Sequence, residues 1–170
     1  MTGTDEPTST DTTRKRVEKI NYFEDFEVGQ EFEHHWGRTI TEGDNSLFST
    51  LTVNANPIYF NADYAEDIGH DGVVANHLLA FNVVFGMSVQ DLSEAGGAFL
   101  GIDSLRFHDE VYPGDTLYAD SEVVSKRESE SRPHQGIVHW KTKGTRPDGE
   151  LVIEFERKNL INKREHTESQ

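Results

Sequence analysis

The second half of the chain alternates between apolar and polar positions. Leu117, Ala119, Ser121 and Val123 alternate with Tyr118, Asp120 and Glu122, and Leu151, Ile153 and Phe155 with Val152, Glu154 and Glu156. A period of two puts one set on each face of a strand. Ile137 to Thr142 is β-branched and aromatic, and Phe99 to Phe107 supplies a further strand. Pro113-Gly114-Asp115 and Pro147-Asp148-Gly149 separate these runs as turns. The first half has helical spacing after one extended segment, Glu31 to Arg38. Thr41-Glu42-Gly43-Asp44 matches a capping box, so a helix is predicted from there, with Leu47, Phe48 and Leu51 on one face. It must end before Pro57, because the residue preceding a proline is pushed out of the helical region. Asn61 to Ile68 predicts a further turn. A long helix is then expected from Gly72, apolar nearly all round at Leu78, Leu79, Phe81, Val83, Val84, Phe85 and Met87. One apolar helix followed by an antiparallel meander predicts an α+β fold, the helix packed across one face of the sheet.

A length of 170 residues suits one domain, expected over residues 19–162. The acidic, Thr-rich segment 1–18 and the polar segment 163–170 are expected to be mobile tails, since neither can bury enough apolar surface to fix itself. No internal repeat or linker lies between them.

Charge narrows the partners. Lys+Arg total 16 against Asp+Glu 31, a formal charge of -15. A field of that sign repels nucleic acid and anionic lipid, and acid spread along the chain suits a protein working at high salt. The absence of cysteine excludes disulfides and thiolate chemistry and fits a reducing cytoplasm. The start, MTGTDEPTSTDTTRKR, has no apolar core and is not a secretory signal. Val73 to Leu92 is interrupted by Asn76, His77, Asn82 and Gln90, which argues for a buried helix and against a membrane span. His34 and His35 fall on opposite strand faces and cannot share a metal, and no other His/Asp/Glu set has ligand spacing. His108, His134 and His139 read as solvated, and Glu42 and Asp44 as capping residues. A serine nucleophile elbow and a Gly-rich phosphate loop are both missing.

Four pieces in order resemble the MaoC-like hot-dog family, typified by (R)-specific enoyl-CoA hydratases. They are Tyr22 to Gly29, Gly37 to Glu42, the segment TVNANPIYFN at Thr52 to Asn61, and Tyr112-Pro113-Gly114-Asp115-Thr116-Leu117. Lys126 to Pro133 followed by Gln135-Gly136-Ile137-Val138 is similar to the subgroup acting on branched dicarboxylic substrates such as itaconyl- or mesaconyl-CoA. The resemblance implies a single hot-dog fold, an acyl-CoA substrate, water addition across an α,β double bond, no cofactor, and a homodimer at least. It also exposes a conflict. The family's motif carries Asp two positions before Asn-Pro and His five positions after that Asp. Asn56 and Pro57 match, but Asn54 and Tyr59 occupy the Asp and His positions. The family's Ala-His-Gly becomes Ala75-Asn76-His77.

The proton chemistry must therefore have moved. Asn54 can orient a water but has no useful basicity, and Tyr59 suits an acid better than a base. His77 is the candidate base, kept neutral by a helix N-terminus; the competing reading is a capping or packing histidine. Backbone N–H groups around Asn76 and His77 are expected to face the thioester oxygen. Asn56 and Asn76 are expected to position substrate, Arg38 or Arg106 to hold a second carboxylate, and Lys126, Arg127 and Arg132 to meet the CoA phosphates unless Glu128 and Glu130 neutralise them. Two other readings stay open: a thioesterase using Asp71 or Asp44, and a non-catalytic acyl-CoA-binding subunit.

Overall fold

The alternating runs become one antiparallel sheet. In the computed structural model, which describes residues 21–94 and 96–167, the chain runs β1 (Glu31–Glu33), β2 (Arg38–Thr39), α1 (Glu42–Leu51), α2 (Ala62–Asp67), α3 (His77–Leu92), β3 (Phe99–Phe107), β4 (Thr116–Glu128), β5 (Gln135–Thr145), β6 (Leu151–Asn162) and α4 (Arg164–Thr167). The sheet order is β1-β4-β5-β6-β3, with β2 pairing a second stretch of β4. The long α3 lies against β4 and β5. The inner set expected for β4, Leu117, Ala119, Ser121 and Val123, is buried throughout.

Three expectations need correction. The extended segment Glu31 to Arg38 is two short strands. Phe32 pairs with Ser121 and Arg38 with Leu117, so six steps on one side face four on the other, and the surplus must leave the ladder. The long helix opens at His77 rather than Gly72. Before it, Val74 N–H donates to the Ile58 carbonyl and Ala75 N–H to the Val111 carbonyl, so this stretch is tied to its neighbours and cannot start a helical ladder. On α1 the apolar residues divide: Phe48 packs against the core, Leu47 and Leu51 are 61% and 72% exposed, and Asn45 and Ser49 are buried.

The interior is divided. One apolar cluster gathers Leu79, Val84, Leu117, Ile153 and Phe155; a second gathers Phe23, Phe26, Leu92, Val123, Val138, Trp140 and Ile161. Buried polar side chains, Ser88, Ser121, Thr142, Arg157 and His34 among them, belong to neither. His34 Nδ1 meets Asp91 at 2.9 Å and its Nε2 meets Ser121 at 2.8 Å, which pins β1 to the end of α3. His34 and His35, expected on opposite faces of a strand, fall between β1 and β2 instead, one buried and one exposed.

Close approach of α3 to the sheet depends on Gly144. A Cβ there would come within 2.5 Å of the Ile153 side chain and 2.6 Å of the Val84 side chain. Gly144→Ala is expected to cost about 2 kcal/mol through overpacking, read as a lower urea midpoint at unchanged slope.

Segment 1–18 lies outside the described residues. Within the polar C-terminal segment, Lys163 N–H donates to the His134 carbonyl, and Arg164 holds the Asp25 carboxylate at 2.6 Å.

Candidate active site

Two irregular segments, 52–61 and 72–76, meet at the start of α3, and Asn45 on α1 joins them. Irregular backbone inside a protein must find hydrogen-bond partners, and Asn45 supplies three. Its Nδ2 donates to the carbonyls of Tyr59 (3.0 Å) and Val74 (3.1 Å), and its Oδ1 accepts from the Asn76 N–H at 2.7 Å. Asn76, fully buried, caps α3 by accepting from the Leu78 N–H at 3.0 Å and donates through Nδ2 to Ser49 at 3.2 Å. Asn76 thus serves the scaffold. Its N–H, expected to face a thioester oxygen, is already held by Asn45.

This scaffold places Tyr59 against His77. The Tyr59 hydroxyl lies 3.0 Å from His77 Nδ1, and the imidazole packs edge-on against Phe107 with ring centroids 5.1 Å apart. Burial holds His77 below the ordinary imidazole range, opposed by the Glu110 charge and reinforced by His70. Burial also pushes the Tyr59 phenol up, while the backbone N–H of His77 draws it the other way. At neutral pH both partners are uncharged. Tyr59 O–H then donates to Nδ1, which leaves the His77 proton on Nε2. The backbone N–H of His77, at the positive end of α3, faces the same phenol oxygen.

A second cluster adjoins the first and was not anticipated. His70 Nδ1 contacts Glu110 at 2.7 Å, the Tyr112 hydroxyl donates to Glu110 at 2.6 Å, and the Asp71 N–H donates to the Tyr112 hydroxyl at 3.4 Å. The Tyr112 hydrogen bond, followed by those from His70, holds the Glu110 carboxyl below its usual range, so it is an anion at neutral pH. The nearest signal in the sequence is the Tyr112-Pro113-Gly114-Asp115 turn, but nothing in it marks Glu110.

Two cavities flank these residues. One, of about 530 Å³, is lined by Tyr59, Asn45, Ser46, Asp71 and Tyr112 among others. The other, of about 290 Å³, is lined by Ser49, Val53, Asn54 and Phe60 among others. Both are of the order of a small-molecule site. Asn54 therefore borders a cavity, and it follows Val53, whose φ of 55° is unusual for a β-branched residue. Asn56 is exposed, and its side chain accepts from the Ile58 N–H at 3.4 Å, capping the turn that presents Tyr59.

The expected anion-binding residues lie elsewhere. Arg38 is paired with Asp44 at 2.9 Å, and Arg106 on β3 is opposite Glu154 of β6; neither lines these two cavities. Lys126 turns inward, donating to the carbonyls of Phe23 (3.1 Å) and Phe26 (2.5 Å), which fastens the turn ahead of β1. Arg127 reaches the Glu128 carbonyl and Arg132 the Gln135 side chain at the exposed far end of β4. Ten residues of strand separate Leu117 from Arg127, roughly 33 Å along the chain, and neither Arg127 nor Arg132 is among the residues lining these two cavities. Among the described residues no His/Cys/Asp/Glu group could hold a metal ion, and no helix is long and apolar enough to cross a membrane.

Comparison with known proteins agrees with this layout. The mesaconyl-CoA hydratase family model matches residues 4–170. The chain is 40% identical over 151 residues to the mesaconyl-CoA hydratase of Haloarcula hispanica, covering 87% of this chain and 42% of that one. A MaoC domain protein from Chloroflexus aurantiacus superposes with a TM-score of 0.83 at 34% identity, covering 89% of this chain and 43% of the other. A Mycobacterium tuberculosis protein with a double hot-dog fold superposes with a TM-score of 0.77 at 26% identity, covering 84% and 44%. The chain spans less than half the length of each of these three. By sequence and by fold together, it belongs to the mesaconyl-CoA hydratase family and carries a MaoC-like hot-dog unit.

Proposed function

We propose that the protein is a hydratase, or in reverse a dehydratase, that adds water across the α,β double bond of a short, branched dicarboxylic enoyl-CoA of the mesaconyl-CoA type. The observation that carries this is the 3.0 Å contact between the Tyr59 hydroxyl and His77 Nδ1 at the head of α3, within the stretch that resembles the family's motif. In the proposed step water attacks the β-carbon and gives a proton to the Tyr59 oxygen as the phenol proton passes to His77 Nδ1. The imidazolium so formed lies within reach of the Glu110 anion, which stabilises it. The same pair returns one proton to the α-carbon, so the net change is one water added. The dipole of α3 favours enolate charge on the thioester oxygen, its Asn76, His77 and Leu78 N–H groups being already engaged. Asn54, bordering the smaller cavity, orients the water.

We further propose a cytoplasmic homodimer. Phe99, Leu100 and Phe107 on edge strand β3 offer a second copy exposed apolar surface. Arg127 and Arg132 then meet CoA phosphates only across that boundary.

The direct test is loss of enoyl-thioester absorbance when mesaconyl-CoA is given to purified protein in high salt. Tyr59→Phe is expected to lower kcat about 100-fold, because the ring remains and only the proton-carrying oxygen is lost. Unchanged kcat in Tyr59→Phe would remove the phenol from the mechanism. One observation favours a second reading: Glu110 and Asp71 are carboxylates near the head of α3, as a thioesterase requires. Release of free CoA thiol from the same mixture, without double-bond loss, would establish that reaction instead.

A further inference from the structure

Arg157, on the inner face of β6, is fully buried, and no other described lysine or arginine is. Its guanidinium lies over the Phe85 ring with its carbon 4.4 Å from the centroid, and 5.4 Å from the Trp140 centroid. Aromatic faces compensate a cation above and below its plane, but the N–H groups within the plane still require acceptors. One has a partner: Nη2 donates to the Ser88 carbonyl at 3.4 Å. Nε and Nη1 have none, and neither has the indole Nε1 of Trp140, the residue directly opposite on β5.

The deficit is one of charge as well as hydrogen bonds. Burial lowers Arg157 to about 10, which still leaves it protonated at neutral pH. The chain has 31 acidic residues, yet among the described residues no carboxylate pairs with this cation. A desolvated, unpaired guanidinium is strongly unfavourable, so the missing acceptor is expected to be negative. Arg157 also lies away from the reaction site. Ser88 is eleven residues along α3 from His77, roughly 16 Å by helical rise.

We propose that Arg157 Nε and Nη1, with Trp140 Nε1, form a buried structural site for one halide-class anion, chloride in a salt-rich cell. A single negative charge matches the single cation, and a spherical ion suits donors from two side chains better than a larger oxyanion in so enclosed a place. Asn159, two residues further along the same face, has an unpaired buried oxygen; exchanging its amide oxygen and nitrogen turns that acceptor into another donor. The alternative occupant is a water between Arg157 and Asn159, which would leave the charge uncompensated.

Crystals of the full chain grown in sodium bromide decide between them. Anomalous diffraction at the bromine edge is expected to place a peak beside Arg157 Nε and Nη1. In solution, melting temperature is expected to be higher in sodium bromide or chloride than in sodium methanesulfonate at equal ionic strength, by on the order of 5 °C. Arg157→Met should erase that difference. Density of water strength with no anomalous signal would overturn the site, as would a halide dependence that persists in Arg157→Met. Should that variant not fold, the anomalous signal from the wild-type crystal is sufficient to decide.

Discussion

Asn45→Ala is expected to destabilise the protein by about 4 kcal/mol, among the larger effects a single side chain can have. The side chain satisfies three backbone groups from two segments: the Tyr59 carbonyl, the Val74 carbonyl and the Asn76 N–H. Alanine leaves all three without their partner in a place that is nearly inaccessible to water. Each buried backbone group so stranded costs about 1–3 kcal/mol. For a domain of this size that corresponds to a fall in melting temperature of roughly 10 °C. Ser49→Ala is the comparison. It removes only the acceptor for Asn76 Nδ2 and should cost about 1 kcal/mol. Urea melts of both variants settle the matter: equal losses would mean that Asn45 does not organise the site.

Asn45 also marks where reading the sequence reached its limit. The alternation at Leu117 to Val123 fixed the inner face of β4, because burial there follows a simple period, and the run Phe99 to Phe107 has the bounds of β3. The Thr41 capping box was equally legible, since its partners are three residues apart in the chain. The inward face of α1 was not, because Asn45 and Ser49 are buried for their polar groups, while of the apolar set Leu47, Phe48 and Leu51 only Phe48 packs against the core. Asn76 and His77 were singled out, but only three dimensions show that one holds the scaffold and the other meets Tyr59. Glu110 escaped notice because its partners His70 and Tyr112 include one forty residues away. Lys126 read as a phosphate ligand by charge alone; its two carbonyl acceptors are a hundred residues upstream.

His77→Ala is expected to reduce kcat for mesaconyl-CoA hydration about 1000-fold while KM changes less than about threefold. Such a loss corresponds to roughly 4 kcal/mol of transition-state stabilisation. The split follows from the proposed role: the imidazole stores a proton during reaction and contributes little to binding. A histidine that merely caps α3 would behave differently, lowering the melting temperature and leaving kcat within about tenfold. Free imidazole should restore part of the lost rate, since the vacated space adjoins the Tyr59 hydroxyl. The pH profile gives an independent check. Burial lowers the His77 pKa, so the reactive neutral form is already dominant below pH 6.5. In kcat/KM the acidic limb of the wild type should therefore have its midpoint below that value, the rate rising with pH through it and then staying level. Burial raises Tyr59, so the midpoint for loss of the phenol proton lies beyond pH 10 and sets the far edge of the plateau. His77→Ala must abolish the acidic limb. If the limb survives the substitution, the titrating group lies elsewhere, with Glu110 and His70 the next to be replaced.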